Sequence, residues 1–143
     1  MTVAEFIQNL DARWGDKILD KDLRSPKRLF VDIHPKDLLE MARYLLNELK
    51  WRFVIASALQ SKRGFEIYYH FSVDEIGLIV NVHVVLPVSK PEVESLANIT
   101  RSANWIEREM HELYGIEFLN HPNMEKLISD GNWDEGVYPY RKE

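Results

Sequence analysis

The hydrophobic pattern of the first fifty residues changes from helical to extended spacing and back to helical spacing. After Thr2, a suitable N-cap, apolar residues three and four positions apart predict an amphipathic helix that ends near Gly15. A charged stretch follows, in which Ile18 and Leu19 leave room for a short strand. The predicted order is a helix over residues 3–14, a charged connection over 17–27, a strand over 29–33 and a second helix over 35–50.

The middle of the chain alternates apolar and polar residues with the period of two that is typical of half-buried strands. This alternation predicts three strands over residues 51–61, 65–73 and 78–86. Residues 74–77, between the last two strands, are enough only for an antiparallel hairpin. The pattern therefore predicts an α+β fold, a two-layer sandwich in which a mixed or antiparallel sheet of about four strands carries helices on one face.

The last third of the chain begins with helical spacing and ends without a period. From Glu92 to Leu113 the apolar spacing predicts a helix, with a break near residues 100–102. The 28 residues after Gly115 show little periodicity and predict an irregular C-terminal tail. The expected organisation is a single domain over residues 1–143. Its α/β core covers residues 1–101, and the C-terminal helix with its tail covers residues 102–143.

Composition and charge exclude several classes of function. The chain has no cysteine, which excludes disulfide frameworks, cysteine nucleophiles and cysteine-ligated iron–sulfur clusters. Its 18 Lys and Arg against 23 Asp and Glu give a net charge of −5, so nucleic acid is not an expected partner. The most apolar run, residues 78–88, is far shorter than the ~20 residues of a membrane span, and the N-terminus does not resemble a signal peptide. We expect a cytoplasmic protein that reaches a membrane only through a partner.

The most unusual feature of the chain is a cluster of acidic residues, among them Glu107, on the predicted C-terminal helix. Ile106, Met110 and Leu113 fall on one side of this helix and are expected to pack inward. Four other residues form an adjacent stripe: Trp105, Arg108, Glu109 and Glu112. Arg108 and Glu112 are four positions apart and can form an ion pair, but such pairs on a helix surface are usually solvated and weak. A tryptophan on the same stripe favours a protein interface instead, because exposed tryptophans commonly anchor interfaces.

The tail carries aromatic and basic residues outside any apolar period. These are Trp133, Tyr138, Tyr140, Arg141 and Lys142. An irregular aromatic segment cannot build a core by itself and must lie on a surface, its own or a partner's. We interpret the tail as a segment that docks on a partner.

Two other functions remain open at this point. A small stand-alone hydrolase or metal enzyme would use four residues, Glu109, Glu112, His111 and His121, although no histidine has a second histidine at helical ligand spacing. A generic protein-binding adaptor would use the exposed sheet face that bears Tyr68, His70 and His83, whose histidines we expect to be solvated.

Residues 107–122 read Glu-Arg-Glu-Met-His-Glu-Leu-Tyr-Gly-Ile-Glu-Phe-Leu-Asn-His-Pro. This segment resembles the signature of the 30 kDa subunit family of respiratory complex I, the NADH-quinone oxidoreductase. Related subunits occur in energy-converting membrane-bound nickel–iron hydrogenases and in formate hydrogenlyase. The ending from Pro139 is similar to the family's closing Pro-Leu-Arg-Lys-Asp, with Tyr140 and Glu143 in place of Leu and Asp. Glu112 stands where the family usually has Asp, and Glu-Leu-Tyr-Gly-Ile is more similar to the hydrogenase branch.

The resemblance implies a non-catalytic assembly subunit of a membrane-associated oxidoreductase. Such a subunit carries no cofactor and no metal, and packs against the hydrogenase-like large subunit of the 49 kDa type, beside a cluster-bearing small subunit. Iron–sulfur clusters and a nickel–iron or quinone site would belong to those partners, and the complex would lie at the inner face of the cell membrane. The residues expected to contact the partners are Trp105, Glu107, Arg108, Glu109, Glu112, His121, Pro122, Trp133, Tyr138, Tyr140, Arg141 and Lys142.

Overall fold

A computed structural model of the chain describes residues 1–122 and 138–141. Its α-helices α1 to α3 are Val3–Trp14, Leu38–Arg43 and Ser102–Tyr114. Its strands β1 to β7 are Ile18–Ser25, Arg28–Ile33, Arg52–Ser61, Gly64–Val73, Leu78–Leu86, Glu92–Glu94 and Glu117–Leu119. A 3-10 turn at Pro35–Asp37 precedes α2, and a π-helical turn at Tyr44–Glu48 follows it.

The first five strands form one mixed sheet in the order β1-β2-β5-β4-β3. All neighbouring pairs are antiparallel except β2 and β5, which run parallel. This confirms the predicted α+β fold with a mixed sheet. The sheet has five strands rather than about four, because the charged stretch after α1 forms β1. An edge strand tolerates such charges, since one side of it faces solvent.

The predicted helix from Glu92 is wrong in its first part. Glu92–Glu94 is β6, which pairs in parallel with β7, and α3 begins only at Ser102. The apolar spacing there comes from tertiary packing, because buried Val93 lies opposite buried Phe118 of β7. The segment just after Gly115 is therefore partly strand and not wholly irregular.

The predicted helices of the first half are confirmed in place. The Thr2 hydroxyl accepts the N–H of Glu5 and caps α1, as its sequence position predicts. The second helical stretch contains a π-helical turn, in which the N–H of Leu49 donates to the carbonyl of Tyr44, five residues back.

The hydrophobic core lies between the helices and one face of the sheet. Every second residue of β4 and β5 is buried there, and these side chains form one cluster with the inward residues of α1, α2 and α3. Phe6 of α1 packs on Trp51, with ring centroids 4.4 Å apart. The opposite face of the sheet, here called the open face, carries the polar residues of the same strands. Within the described residues, no helix is long and apolar enough to cross a membrane.

Candidate partner-binding surface

Helix α3 ends at position 115, which only glycine can occupy at low cost. Gly115 has φ +75°, the left-handed conformation that closes many helices, and its N–H donates to the carbonyl of His111. A Cβ at this position would lie 2.6 Å from the ring of Tyr138. The glycine therefore ends the helix and also makes room for the C-terminal segment.

The outward side of α3 presents an exposed aromatic ring. Trp105 is 59% exposed, and the guanidinium of Arg108 lies 5.8 Å from its ring centroid. Arg108 and Glu109 are half-buried beside it. An exposed tryptophan next to a cation is typical of a binding surface and offers no acid–base or nucleophilic chemistry.

Two acidic residues of the predicted contact set face the interior of this chain instead. Glu107 is 0% exposed, and Glu112 is also buried. The Ser95 hydroxyl donates to Oε1 of Glu107 at 2.6 Å, and the N–H of Leu96 donates to Oε2 at 2.8 Å. Burial raises the pKa of Glu107 to about 7, although these hydrogen bonds oppose the rise. Glu107 therefore holds the loop before α3 against the helix.

His121 connects the segment after β7 to the same helix. Its Nε2 donates to the carbonyl of Asn104 at 3.2 Å and lies 3.7 Å from Oε1 of Glu107. Burial lowers the pKa of His121 below its usual value. The neighbouring Pro122 is exposed, so this predicted contact is on the surface.

The described part of the tail, residues 138–141, packs on the end of α3. The N–H of Tyr140 donates to the carbonyl of Leu113 at 2.9 Å, and Nε of Arg141 donates to the carbonyl of Tyr114 at 3.1 Å. Carbonyls at a helix C-terminus commonly need such external donors. The described part of the tail therefore lies on this chain's own surface, where Tyr138 and Arg141 contact it, and docking of the tail on a partner stays a prediction. Tyr140 is nevertheless 58% exposed.

Arg141 also links the tail to the sheet. Its guanidinium lies 5.1 Å from the ring centroid of Phe65 in β4 and 5.2 Å from that of Tyr138. The predicted contacts Trp133 and Lys142 lie outside the described residues.

The open face of the sheet contains a polar cluster that the sequence pattern did not predict. Nδ1 of His83 lies 2.9 Å from a carboxylate oxygen of Asp32, and its Nε2 lies 2.7 Å from one of Glu66. Tyr68 stacks on the same imidazole, with ring centroids 4.4 Å apart. His83 is only 4% exposed, so the expectation of a solvated histidine is wrong for it. His70, on the same face, is hydrogen-bonded to Asn81.

The residues of the metal-enzyme alternative do not assemble into a site. Over residues 1–122 and 138–141, no group of three His, Asp or Glu side chains is placed to hold a metal ion. Nδ1 of His111 lies 2.9 Å from the carbonyl of Ile116, so that nitrogen donates a hydrogen bond within the chain. Trp105 near the start of α3 and Tyr140 beside its end remain exposed, and these two rings are the candidates for contact with a partner.

Comparisons with known proteins identify the same family. The model of the family "Respiratory-chain NADH dehydrogenase, 30 Kd subunit" matches residues 31–143. The chain is 27% identical to a subunit of the F(420)H(2) dehydrogenase of Methanosarcina mazei, over 100% of this chain and 92% of that protein. It is 30% identical to a subunit of the NADH-quinone oxidoreductase of Ruegeria pomeroyi, over 97% of this chain and 70% of that protein.

A solved structure shares the fold. A chain of the membrane-bound sulfane sulfur reductase, an archaeal respiratory membrane complex, superposes with a TM-score of 0.80 at 21% identity, over 96% of this chain and 82% of that one. The matched family model covers most of the sequence, including the segment from Glu107 to Pro122. The chain belongs to the 30 kDa subunit family of the respiratory-chain NADH dehydrogenases.

Proposed function

We propose that the chain is a non-catalytic assembly subunit of a multisubunit, membrane-associated oxidoreductase of the hydrogenase or complex I type. The family and the names of the relatives support this function, because those relatives are subunits of respiratory dehydrogenases. The observation that carries the proposal is Trp105, which is 59% exposed on the very helix that bears the family motif.

The proposed partner is the hydrogenase-like large subunit, with a cluster-bearing small subunit beside it. The contact surface consists of residues that the fold leaves accessible on α3 and the segments that adjoin it: Trp105, Arg108, Glu109, Pro122 and Tyr140. Two aromatic rings can enter pockets of a partner, and Arg108 can pair with its carboxylates. Glu107, Glu112 and His121 support this surface from within.

The redox chemistry of the complex belongs to the partners in this proposal. Iron–sulfur clusters and a nickel–iron or quinone site lie in the neighbouring subunits, and this chain supplies packing. The complex places the chain at the inner face of the cell membrane, where it is held by other subunits. We expect elemental analysis of the purified chain to find no stoichiometric iron, nickel or zinc.

Co-purification with the large subunit tests the proposed surface. The double variant Trp105→Ala and Tyr140→Ala should reduce the amount of this chain retained by a tagged large subunit by about tenfold or more, since each change removes an exposed aromatic anchor. The matched control is Leu19→Ala with Val88→Ala, two exposed apolar residues elsewhere on the chain. Equal retention of both double variants would contradict the assignment of the surface.

A further inference from the structure

The two edge strands of the five-stranded sheet differ in character. Along the edge strand β1, four of eight residues are charged: Asp20, Lys21, Asp22 and Arg24. Charges of this kind protect an edge from pairing with another strand. The other edge, β3, is ten residues long and carries one charged residue, Arg52. A long edge strand without protecting charges is a template for a further strand.

The outer side of β3 is accessible for much of its length. Val54, Ile55 and Leu59 are 43%, 47% and 42% exposed. Among the strands of residues 1–122, β3 pairs with β4 alone. Tyr114 of α3 donates to the carbonyl of Ala58 at 3.4 Å, so the part of the edge that we assign to a further strand is Arg52 to Ser57, whose pairing with β4 shifts register between Phe53 and Ile55.

Basic residues flank this apolar strand on both sides. Lys50 and Arg52 stand at its start, and Lys62 and Arg63 follow its end, all with exposed side chains. Arg52 pairs with Asp74 and Arg63 with Glu66, so Lys50 and Lys62 supply the flanking charge for a partner. They contrast with the net charge of −5 of the whole chain. A segment that pairs with β3 would match it best with apolar residues at the centre and acidic residues at both ends.

A second copy of this chain fits the edge poorly. Two β3 strands that pair about a two-fold axis run antiparallel, so the start of each lies beside the end of the other. Lys50 and Arg52 of one copy would then face Lys62 and Arg63 of the other. Like charges directly opposite destabilise strand pairing.

We infer that β3 binds an extended segment of a partner subunit, apolar at its centre and acidic at both ends, which adds a sixth strand to the sheet. This inference rests on the proposed function, because it requires a partner subunit. Main-chain hydrogen bonds provide the affinity, and the basic flanks set the register of the added strand.

Hydrogen–deuterium exchange and charge reversal test the added strand in the purified complex. Within residues 52–57, the amides that point away from β4 should exchange about tenfold more slowly, or slower still, in the complex than in the isolated chain. Lys50→Glu with Lys62→Glu should lower retention by the tagged large subunit about tenfold, whereas the control Lys27→Glu with Lys36→Glu should change it less than about twofold. Both pairs are exposed lysines, and melting temperatures check that each variant folds.

The outcomes separate this inference from the proposed function. Unchanged exchange at β3 in a complex that forms, and that depends on Trp105 and Tyr140, would overturn the added strand alone. Failure of the unaltered chain to co-purify would overturn both proposals. Protection of β3 in the isolated chain at high concentration, together with dimer formation, would assign the edge to a second copy and reject the partner segment.

Discussion

The pKa values of two buried glutamates, one on α3 and one on the open face of the sheet, are shifted in opposite directions. Glu107 is 0% exposed, and its pKa is raised to about 7. Glu66 is 8% exposed, and its pKa is lowered, by a hydrogen bond from Ser61 first and also by His83 and Arg63. The two pKa values thus shift in opposite directions, with desolvation the largest cause at Glu107 and hydrogen bonding the largest cause at Glu66.

Glu107 is the more deeply buried of the two, and the groups around each carboxyl also differ. Glu107 accepts hydrogen bonds from a hydroxyl and a main-chain N–H, both neutral. Burial first, and then the charge of Glu107, raise the pKa of the Tyr69 hydroxyl. Glu66 lies 2.7 Å from an imidazole nitrogen and 3.9 Å from the guanidinium of Arg63. A serine hydroxyl donates to each carboxyl group. At Glu107 the cost of burying the charge outweighs the hydrogen bonds, whereas at Glu66 the hydrogen bonds and the guanidinium of Arg63 outweigh it.

The largest expected effect follows from removing the Glu107 carboxyl. Glu107→Ala leaves the Ser95 hydroxyl and the Leu96 N–H without their acceptor and opens a cavity, so we expect a loss of about 3 kcal/mol in the free energy of unfolding. Urea denaturation at pH 7 measures it. Glu107→Gln keeps the volume and an acceptor, and should cost less than about 1 kcal/mol. Equal losses for both variants would contradict the assigned role.

The pH dependence of stability should distinguish the two glutamates by sign. A raised folded-state pKa means that Glu107 stabilises the fold below its unfolded value of 4.5, and that this stability is lost as pH rises to about 7. The shift corresponds to about 3 kcal/mol, as an order of magnitude. Glu66 contributes stability above its unfolded value and loses it as pH falls.

Urea denaturation between pH 4.5 and 8 provides the measurement. The unaltered protein should lose stability relative to Glu107→Gln as pH rises through this range. Extended to about pH 3, the same measurement should show it losing stability relative to Glu66→Gln as pH falls below 4.5. Parallel pH profiles for the three proteins would contradict both shifts, because they would mean that neither carboxyl group changes its pKa on folding.

A smaller effect is expected from His83, which separates two carboxylates. His83→Ala removes the group that Asp32 and Glu66 share, and should reduce the free energy of unfolding by about 2 kcal/mol. His70→Ala on the same face serves as the control and should cost less than half as much, because His70 meets only the neutral Asn81. Thermal and urea denaturation measure both. A greater loss for the control would contradict the comparison.

Local sequence pattern was enough to predict the strands β3, β4 and β5 and the helix α1, because their periods are long and regular. It failed at β6, where Val93 and Leu96 are three positions apart, as on a helix, while Val93 is buried against a strand. It also underestimated β1, since the charges of an edge strand resemble those of a loop. The error at β6 concerns pairing with the distant strand β7, which local spacing does not encode, whereas β1 pairs with β2 across a tight turn.

The exposure of Trp105 was predictable, because it falls on the outward stripe of the helix that leads into the recognisable segment 107–122. The burial of Glu107 was not predicted, because a carboxyl group is normally assigned to the solvent side of a helix. One signal was present. Ala103, Glu107 and Met110 follow the spacing of a buried helical stripe, and all three are buried. The Asp32–His83 contact could not be predicted from local sequence pattern, because it depends on the parallel pairing of β2 with β5.

The parallel pairing of β2 with β5 sets an order of events during synthesis. Asp32 and His83 are 51 positions apart, whereas β3, β4 and β5 are joined by short hairpin turns. Loop closure over that distance is slow compared with hairpin formation. The ribosome releases β1 and β2 first, but β2 cannot pair with β5 until β5 has been synthesised. During this interval the apolar residues of β1 and β2 are exposed to chaperones and to neighbouring nascent chains.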